Sequence, residues 1–342
     1  MAIKLLVFDY RDNEKDFFRS HELENFDITF FKESLNEESV KNLSEDVLNS
    51  TAVISVFVHS EVTENVINSF KNLRIISTRS TGIDHINKIA AEAKNIAIVN
   101  VEGYGSRSVA QYTICLILAL VRHIIPAFEY IKSNIQACKS FVGRDISRFT
   151  LGVIGTGSIG TAVCKLAVSM GMKVLAYDVV GRKDLIDKYG VQYVDFDTLL
   201  KESDIISIHI PYTGENKNMF GFEEFSIMKN TSYLINTSRG EIVNIKDLHY
   251  AITKGAIKGA ALDVVTCEAY SFKKCSNKDH VLYADFDCIE EARLVEELSH
   301  NPEVIITPHI AYETQDAIDY ILEVTFIAIS DIIKGGNNYK AN

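Results

Sequence analysis

Short apolar runs alternate with helical patterns along most of the chain. In the first hundred residues the runs that indicate strands are Lys4–Phe8, Ile28–Phe31, Ala52–Val56, Arg74–Ser77 and Ala97–Asn100. The helical patterns between them are Asn13–Ser20, Glu37–Asn49, Thr63–Phe70 and Ile86–Lys94. Because these runs are apolar throughout rather than alternating, they are typical of strands covered on both faces. Strands joined by helices then predict a parallel sheet.

The same alternation returns after a long helical pattern, Ser108–Ala127, which Pro126 is expected to bend or interrupt. The strands predicted for this second sheet are Phe149–Ile154, Lys173–Tyr177, Ile205–His209, Ser232–Asn236, Gly259–Val264 and Val304–Thr307. A last helix is predicted over Thr314–Ile333, where Gly335 and Gly336 follow. The sequence therefore predicts an α/β protein with two doubly wound parallel sheets and a ligand cleft between them.

Charge and composition narrow the choice of partners. The 342 residues carry 35 basic and 46 acidic side chains, a net charge of −11, which argues against nucleic acid or an anionic membrane as partner. The longest apolar stretch, Tyr112–Val121, is far shorter than the ~20 residues of a membrane span. The apolar run near Met1 is too short for a signal peptide. We therefore expect a cytoplasmic protein.

Six cysteines raise the question of disulfides: Cys115, Cys138, Cys164, Cys267, Cys275 and Cys288. None forms a C-x-x-C pair, and none has the spacing of a zinc finger, so no metal site is predicted. A chain of this length buries its own core without covalent links. Reduced structural thiols are the prediction, with a disulfide framework as the alternative.

A glycine-rich loop follows the first strand of the second sheet and precedes a helical pattern, Thr161–Met170. Its pattern is G-x-G-x-x-G, in which the first glycine permits a tight turn, the second a close approach to a pyrophosphate, and the third the packing of helix on strand. The N–H groups at the helix start would face the phosphates. The residues predicted to bind a dinucleotide here are Gly155, Thr156, Gly157, Ser158, Ile159 and Gly160.

An acidic residue completes this pattern. Asp178 ends the next predicted strand, 18 residues after Gly160, close to the ~20 typical of a dinucleotide fold. Its carboxylate would accept hydrogen bonds from ribose hydroxyls and repel a 2′-phosphate. NAD is therefore the predicted cofactor. Arg182 and Lys183 leave NADP as the alternative, because either cation would attract that phosphate.

Three segments with polar side chains lie at the carboxyl ends of predicted strands, where open α/β sheets bind ligands. They are Asn236–Gly240, Ala261–Glu268 and Ile306–Tyr312. Together with Tyr10–Lys15, Ser77–Asp84, Asn100–Tyr104 and Ser203–Pro211, they resemble the D-2-hydroxyacid dehydrogenases, and within that family the D-lactate dehydrogenases, including the vancomycin-resistance type. The resemblance extends over nearly the whole chain.

This resemblance implies a discontinuous flavodoxin-like substrate-binding domain, residues 1–102 and 310–342, and a Rossmann NAD-binding domain, residues 103–309. It also implies a catalytic trio of Arg239, Glu268 and His309. Protonated His309 would act as general acid towards the oxygen of a 2-oxo acid, and Glu268 would orient the ring and favour its charged form. The fork of Arg239 suits the substrate carboxylate and carbonyl.

The remaining expected site residues also follow from the resemblance. Those predicted at the cofactor, besides the glycine loop and Asp178, are His209, Ile210, Pro211, Thr237, Ser238 and Asp263. Asp263 would contact the nicotinamide amide or support the site. Those predicted at the substrate are Arg79, Ser80, Thr81, Gly82, Tyr104 and Tyr312. A structural role is an equal alternative for Arg79, Tyr104 and Tyr312.

The predicted function is NAD-dependent reduction of a small 2-oxo acid to the D-2-hydroxy acid, with pyruvate to D-lactate as the first choice. A bulkier acid, such as 2-oxoisocaproate or phenylpyruvate, is the nearest alternative. A cofactor-sensing binding protein of the same fold is a second one, because fold and activity are separable. A homodimer is expected, since relatives pair through their cofactor domains.

Overall fold

The computed structural model describes residues 2–10, 12, 14, 15, 17, 25–133, 140–271 and 286–341. Most of the predicted helix Asn13–Ser20 lies outside these residues, as do Cys138 and Cys275. The chain divides into two compact units, one of Met1–Tyr104 with Thr314–Asn342 and one of Gly105–Glu313. We call them the substrate unit and the cofactor unit. The predicted boundaries, after residues 102 and 309, lie near these divisions.

The substrate unit contains five parallel strands: β1 Ile3–Val7, β2 Phe26–Phe30, β3 Thr51–Val56, β4 Ile75–Thr78 and β5 Ala97–Val99. Their order in the sheet is β2-β1-β3-β4-β5. In register, Leu5 lies between Ile28 and Val53. This is the flavodoxin-like order, in which the chain changes direction between β1 and β3. The predicted fold class is confirmed for this unit.

Short helices cover this sheet: α1 Glu45–Ser50, α2 Glu64–Ser69 and α3 Lys88–Ala93. Polar side chains start them, since Ser44, Thr63 and Asn87 each accept a hydrogen bond from a first-turn N–H. Such a cap contributes about 1 kcal/mol. The helix predicted over Glu37–Asn49 is wrong in its extent, because a 3-10 turn, Ser39–Asn42, precedes the cap at Ser44.

The cofactor unit contains seven parallel strands: β6 Thr150–Ile154, β7 Lys173–Tyr177, β8 Gln192–Tyr193, β9 Ile205–Ile208, β10 Tyr233–Asn236, β11 Gly259–Leu262 and β12 Val304–Ile306. Their order is β12-β11-β10-β9-β6-β7-β8. This is a Rossmann order with one added strand, and its direction changes between β6 and β9. The sequence predicted every strand except β8, which is only two residues long.

The helices from residue 106 onward are α4 Ser106–Val121, α5 Ile124–Lys132, α6 Ser158–Ser169, α7 Lys183–Tyr189, α8 Phe196–Glu202, α9 Phe222–Ile227, α10 Ile245–Thr253, α11 Glu268–Ser271, α12 Phe286–Ser299 and α13 Gln315–Ile333. The first two were predicted as one helix. The break lies at His123, which has a positive φ of 52°, and not at Pro126. Pro126 lies in the first turn of α5, where its missing N–H costs no helical hydrogen bond.

The apolar side chains of the second sheet form two clusters, one on each face. One includes Ile117 of α4 and Val163 of α6, and the other includes Phe225 of α9 and Leu248 of α10. Burial on both faces explains why the strands are apolar runs without alternation. Among the described helices, none alone is long and apolar enough to cross a membrane; α4 and α5 reach that length only together, with a 63° bend.

Candidate active site

Three neighbouring strands place the predicted catalytic residues at one edge of the second sheet. β10, β11 and β12 are hydrogen-bonded in that order. Arg239 lies three residues after β10, and His309 lies three residues after β12. Glu268 begins α11, in the connection that follows β11. Because parallel strands share their direction, all three residues lie at the carboxyl-terminal edge.

Asp263, directly after β11, holds the loop that carries His309. Its side chain is fully buried. One oxygen accepts hydrogen bonds from Thr307 Oγ1 at 2.6 Å and the N–H of Ile310 at 3.0 Å, and the other accepts from the N–H of Ala311 at 2.8 Å. These bonds support the loop that carries His309, which is one of the two roles that the resemblance implied. Contact of Asp263 with the nicotinamide amide stays a prediction.

His309 and Glu268 form the hydrogen-bonded pair that the sequence predicted. His309 Nδ1 lies 3.0 Å from Glu268 Oε2, and each side chain is 26% exposed. The backbone has a positive φ at two positions here: 56° at His309 itself and 54° at Cys267, the residue before Glu268. Such left-handed residues are uncommon outside glycine and collect at functional sites. Since Nδ1 faces the carboxylate, a proton for transfer would reside on Nε2.

The segment before Glu268 is fixed to α12. Cys267 is disulfide-bonded to Cys288, and the hydroxyl of Thr266 donates a hydrogen bond to Glu291. The prediction that the cysteines are reduced thiols is therefore wrong for this pair. Sequence could not reveal it, because the two residues are 21 positions apart without any motif.

The two other described cysteines are free thiols. Cys115 is exposed, whereas Cys164 of α6 is buried. Burial raises the pKa of Cys164 to about 12, so this thiol stays protonated at neutral pH. The prediction of a structural thiol thus agrees with the structure at Cys164.

Arg239 lies in a turn that hydrogen bonds and a close backbone approach hold in place. Asn236 Nδ2 donates to the carbonyl of Arg239 at 2.8 Å, and its Oδ1 accepts from the N–H of Ser238 at 3.0 Å. A Cβ on Gly240 would lie 2.1 Å from the carbonyl carbon of Val265, so only glycine fits. The half-buried guanidinium uses one nitrogen to donate to the carbonyl of Ser238.

Helix α4 supports this edge through residues that the sequence reasoning missed. The hydroxyl of Thr113 lies 3.0 Å from that of Thr237, so the predicted cofactor residue Thr237 is also a link to α4. Burial raises the pKa of Tyr112, which hydrogen-bonds to Thr307, the partner of Asp263. Thr113 and Thr237 are 124 positions apart in the sequence, and Tyr112 and Thr307 are nearly 200 apart. No local sequence pattern indicates contacts between residues so far apart.

The glycine loop has the geometry that its pattern predicts. Gly155 has a φ of +86°, and a Cβ there would lie 2.8 Å from the carbonyl oxygen of His209. A Cβ on Gly160 would lie 1.9 Å from the carbonyl oxygen of Gly155, so the third glycine accommodates the turn itself rather than the strand. At Gly157 no other atom lies within 4 Å of such a Cβ, which leaves space for a pyrophosphate. Gly157 is also the N-cap of α6.

Hydrogen bonds from Thr156 of the glycine loop hold the side chain of Asp178. Its Oδ2 accepts hydrogen bonds from the N–H of Thr156 at 2.5 Å and from Thr156 Oγ1 at 2.8 Å. Burial alone would raise the pKa of Asp178, but these bonds and those from the N–H groups of Val179 and Val180 outweigh it and lower the pKa. The carboxylate is therefore ionised at neutral pH, as binding of ribose hydroxyls requires.

Three of the predicted cofactor residues, His209, Ile210 and Pro211, directly follow β9. The hydroxyl of Ser238 donates to the carbonyl of Ile210, which joins the turn before Arg239 to the segment before Pro211. His209 Nε2 lies 2.8 Å from Ser207 Oγ. Desolvation lowers the pKa of His209 to about 3, so its ring is neutral at neutral pH. A neutral ring is unsuited to the role of general acid. Contact of His209 with the cofactor stays a prediction.

The predicted substrate residues of the substrate unit follow β4. Arg79 is fully buried and donates to Ser55 Oγ and to the carbonyls of Phe8 and Asp9. These contacts support the structural alternative for Arg79. Ser80 Oγ donates to the carbonyl of Gly82, and Thr81 Oγ1 donates to that of Val101. Tyr104 and Tyr312 are both half-buried. Contact of these residues with a substrate stays a prediction.

A dinucleotide loop with an ionised acid, and a histidine–carboxylate pair at the same sheet edge as an arginine, are the parts that a nicotinamide-dependent dehydrogenase of hydroxy acids requires. Residues 114–311, more than half of the chain, match the family described as D-isomer specific 2-hydroxyacid dehydrogenase, NAD binding domain. The chain therefore belongs to the D-isomer specific 2-hydroxyacid dehydrogenase family, and NAD is its cofactor.

Individual relatives agree with this assignment. The crystal structure of D-lactate dehydrogenase from Aquifex aeolicus, complexed with NAD and lactic acid, is 35% identical, with a TM-score of 0.85 over 97% of this chain and 96% of that one. A D-specific alpha-keto acid dehydrogenase from Enterococcus faecium is 37% identical over 80% of each protein. A D-3-phosphoglycerate dehydrogenase from Synechocystis sp. is 32% identical over 92% of this chain, which spans only 54% of that relative.

Proposed function

We propose that this protein reduces pyruvate to D-lactate with NADH. The observation that carries the proposal is the pair of His309 and Glu268, 3.0 Å apart, at the same sheet edge as Arg239. The choice of pyruvate is supported by the similarity to the Aquifex aeolicus enzyme, whose structure contains lactic acid. Relatives named for phosphoglycerate and glycerate make the substrate the first point to test.

In the proposed reaction, bound NADH supplies the hydride that reaches C2 of the oxo acid. Negative charge then develops on the carbonyl oxygen, and Nε2 of protonated His309 donates a proton to it. Glu268 holds Nδ1 and stabilises the positive charge of the ring before transfer. The arginine fork of Arg239 binds the carboxylate and the carbonyl oxygen, which fixes the face that receives the hydride.

Steady-state kinetics with a panel of 2-oxo acids tests this proposal. We expect the highest kcat/KM with pyruvate, lower values with 2-oxoisocaproate and phenylpyruvate, and D-lactate as the only enantiomer formed. The panel also includes glyoxylate, hydroxypyruvate and 3-phosphohydroxypyruvate. If a bulkier or phosphorylated acid has a higher kcat/KM than pyruvate, that acid would be assigned as the substrate in place of pyruvate. NADH binding without turnover of any acid would instead favour the cofactor-sensing alternative.

We further propose that the protein acts in the cytoplasm as a homodimer. Support for a dimer comes from α5, whose residues Ile124, Phe128 and Ile131 are 54%, 55% and 74% exposed. An exposed apolar face of this kind is typical of an interaction surface. Light scattering at micromolar concentration should give twice the 38.3 kDa of the chain, and Phe128→Asp should give the monomer. A monomeric wild-type protein would exclude the dimer. Cell fractionation tests the location.

A further inference from the structure

Tyr193 lies on β8, the two-residue strand at the edge of the second sheet, outside every motif of the sequence. Its backbone pairs with Ala176 of β7. Its hydroxyl donates a hydrogen bond to Thr156 Oγ1 at 2.9 Å and accepts one from the N–H of Arg182 at 3.0 Å. The ring packs beneath the turn after Asp178, since a Cβ on Gly181 would lie 3.6 Å from it.

These contacts make a continuous chain of hydrogen bonds. The N–H of Arg182 donates to Tyr193, Tyr193 donates to Thr156, and Thr156 Oγ1 donates to Asp178 Oδ2. Every hydroxyl in it both donates and accepts, so its direction is fixed. Hydrogen bonds in such a chain strengthen one another. The chain ends on the carboxylate that selects between the ribose hydroxyls of NAD and the 2′-phosphate of NADP.

We propose that Tyr193 is a positioning residue for cofactor choice, which fixes the Asp178 carboxylate through Thr156 and the turn of residues 179–182 through Arg182. The two effects act in the same direction. A fixed carboxylate presents Oδ1 to ribose and keeps its negative charge where a 2′-phosphate would lie. A fixed turn keeps the guanidinium of Arg182, whose Nε is 3.2 Å from Asp184, away from that phosphate.

The local environment supports this role. Thr156 is almost completely buried, so no water replaces the hydroxyl of Tyr193 without displacement of the loop. The carbonyl of Thr156 accepts a hydrogen bond from Thr161 of α6, which ties the same residue to the helix that faces the pyrophosphate. Val179 and Val180 are 94% and 72% exposed. The turn that carries them therefore has little apolar burial of its own, and hydrogen bonds to Asp178 and to Tyr193 hold it.

The test measures cofactor binding directly by calorimetry, with NADH and NADPH as the two ligands. Tyr193→Phe keeps the ring and removes only the hydroxyl. We expect the Kd for NADH to rise about fivefold, as for one lost hydrogen bond, and the Kd for NADPH to fall. The NADH preference then narrows by roughly tenfold, while kcat at saturating NADH stays within twofold. Tyr189→Phe, at the end of α7, is the matched control and should change neither Kd.

An equal rise in the Kd for NADH and for NADPH, or no change in either Kd, would overturn the proposal. Thr156→Val and Thr156→Ser provide a second measurement that does not alter Tyr193. The valine variant should show the same narrowed preference for NADH over NADPH as Tyr193→Phe. The serine variant keeps the hydroxyl and should show the wild-type preference. In the double variant with Tyr193→Phe, the change in the NADH preference should be smaller than the sum of the two single changes, because both substitutions act on the same chain of hydrogen bonds. Additive effects would show that Tyr193 acts independently of Asp178, contrary to the proposal.

Discussion

Two arginines of this protein occupy similar positions in the sequence, each shortly after a parallel strand, but their side chains differ in burial and in contacts. Arg79 comes after β4 in Thr78-Arg79-Ser80, and Arg239 comes after β10 in Ser238-Arg239-Gly240. The Arg79 side chain is 0% exposed, donates to two carbonyls and one hydroxyl, and lies 3.5 Å from Glu14. Arg239 is half-buried, with a bond from one guanidinium nitrogen to the carbonyl of Ser238.

The difference separates an arginine buried among strand ends from one at the sheet edge that carries His309, where we propose that it binds the substrate. In Arg79 the donors of the fork are directed at fixed groups of β1 and β3, so the residue joins three strand ends. Arg239 keeps a planar, charged fork at the sheet edge that also carries His309. Each region also contains an acidic residue: Glu14 lies beside Arg79, and Glu268 lies beside His309. Substitutions of the two arginines and the two glutamates test the comparison.

The largest effect is expected from Arg79→Met. The substitution keeps the length of the side chain but leaves the carboxylate of Glu14 and the carbonyl of Phe8 buried without their partner. Loss of one member of a buried ion pair costs about 3–5 kcal/mol of unfolding free energy. Urea unfolding followed by circular dichroism measures the loss. A variant of normal stability with a raised KM for the oxo acid would instead assign Arg79 to the substrate.

Arg239→Lys should leave stability unchanged and reduce turnover. Lysine keeps the charge but lacks the paired donors, so both the carboxylate and the developing oxyanion lose a bond. We expect kcat/KM for the oxo acid to fall at least 100-fold, which corresponds to about 2.7 kcal/mol of transition-state binding. The Kd for NADH should not change. The exposed Arg148, substituted in the same way, is the control, and activity of Arg239→Lys within threefold of wild type would contradict the assignment.

Glu268→Gln and Glu14→Gln form a matched pair. Glu268→Gln replaces a charge-assisted hydrogen bond to His309 by a neutral one, so kcat for reduction should fall about fivefold at neutral pH. Glu14→Gln should lower the free energy of unfolding and leave kcat unchanged. An unchanged kcat for Glu268→Gln would remove this residue from the pair.

The smallest effect is expected from reduction of the disulfide. The bond between Cys267 and Cys288 holds the residue before Glu268, but the hydrogen bond from Thr266 to Glu291 remains after reduction. Dithiothreitol should therefore lower kcat by less than the factor of about five expected for Glu268→Gln. Cys288→Ser should have the same lowered kcat and no response to the reductant. A response that persists in this variant would point to another cysteine.

Local patterns in the sequence determined the architecture and the reactive groups. Apolar runs identified eleven of the twelve described strands because burial on both faces leaves no alternation. The glycine loop and Asp178 were predictable because a positive φ, close backbone contacts and a ribose-binding acid each restrict the residue type. Resemblance in short segments identified the trio of Arg239, Glu268 and His309, and the structure pairs the last two.

The tertiary structure decided which of these residues support others. Sequence alone left Arg79 divided between two roles, and contacts with residues about 70 positions away favour the structural one. It left Asp263 between a nicotinamide contact and a supporting role, and the Asp263 oxygens accept hydrogen bonds from a loop more than 40 positions later. Tyr193 and the disulfide gave no signal. The physical reason is that a helix cap or a glycine turn depends on neighbours in the chain, whereas a hydrogen-bond partner brought in by another strand depends on the assembled sheet.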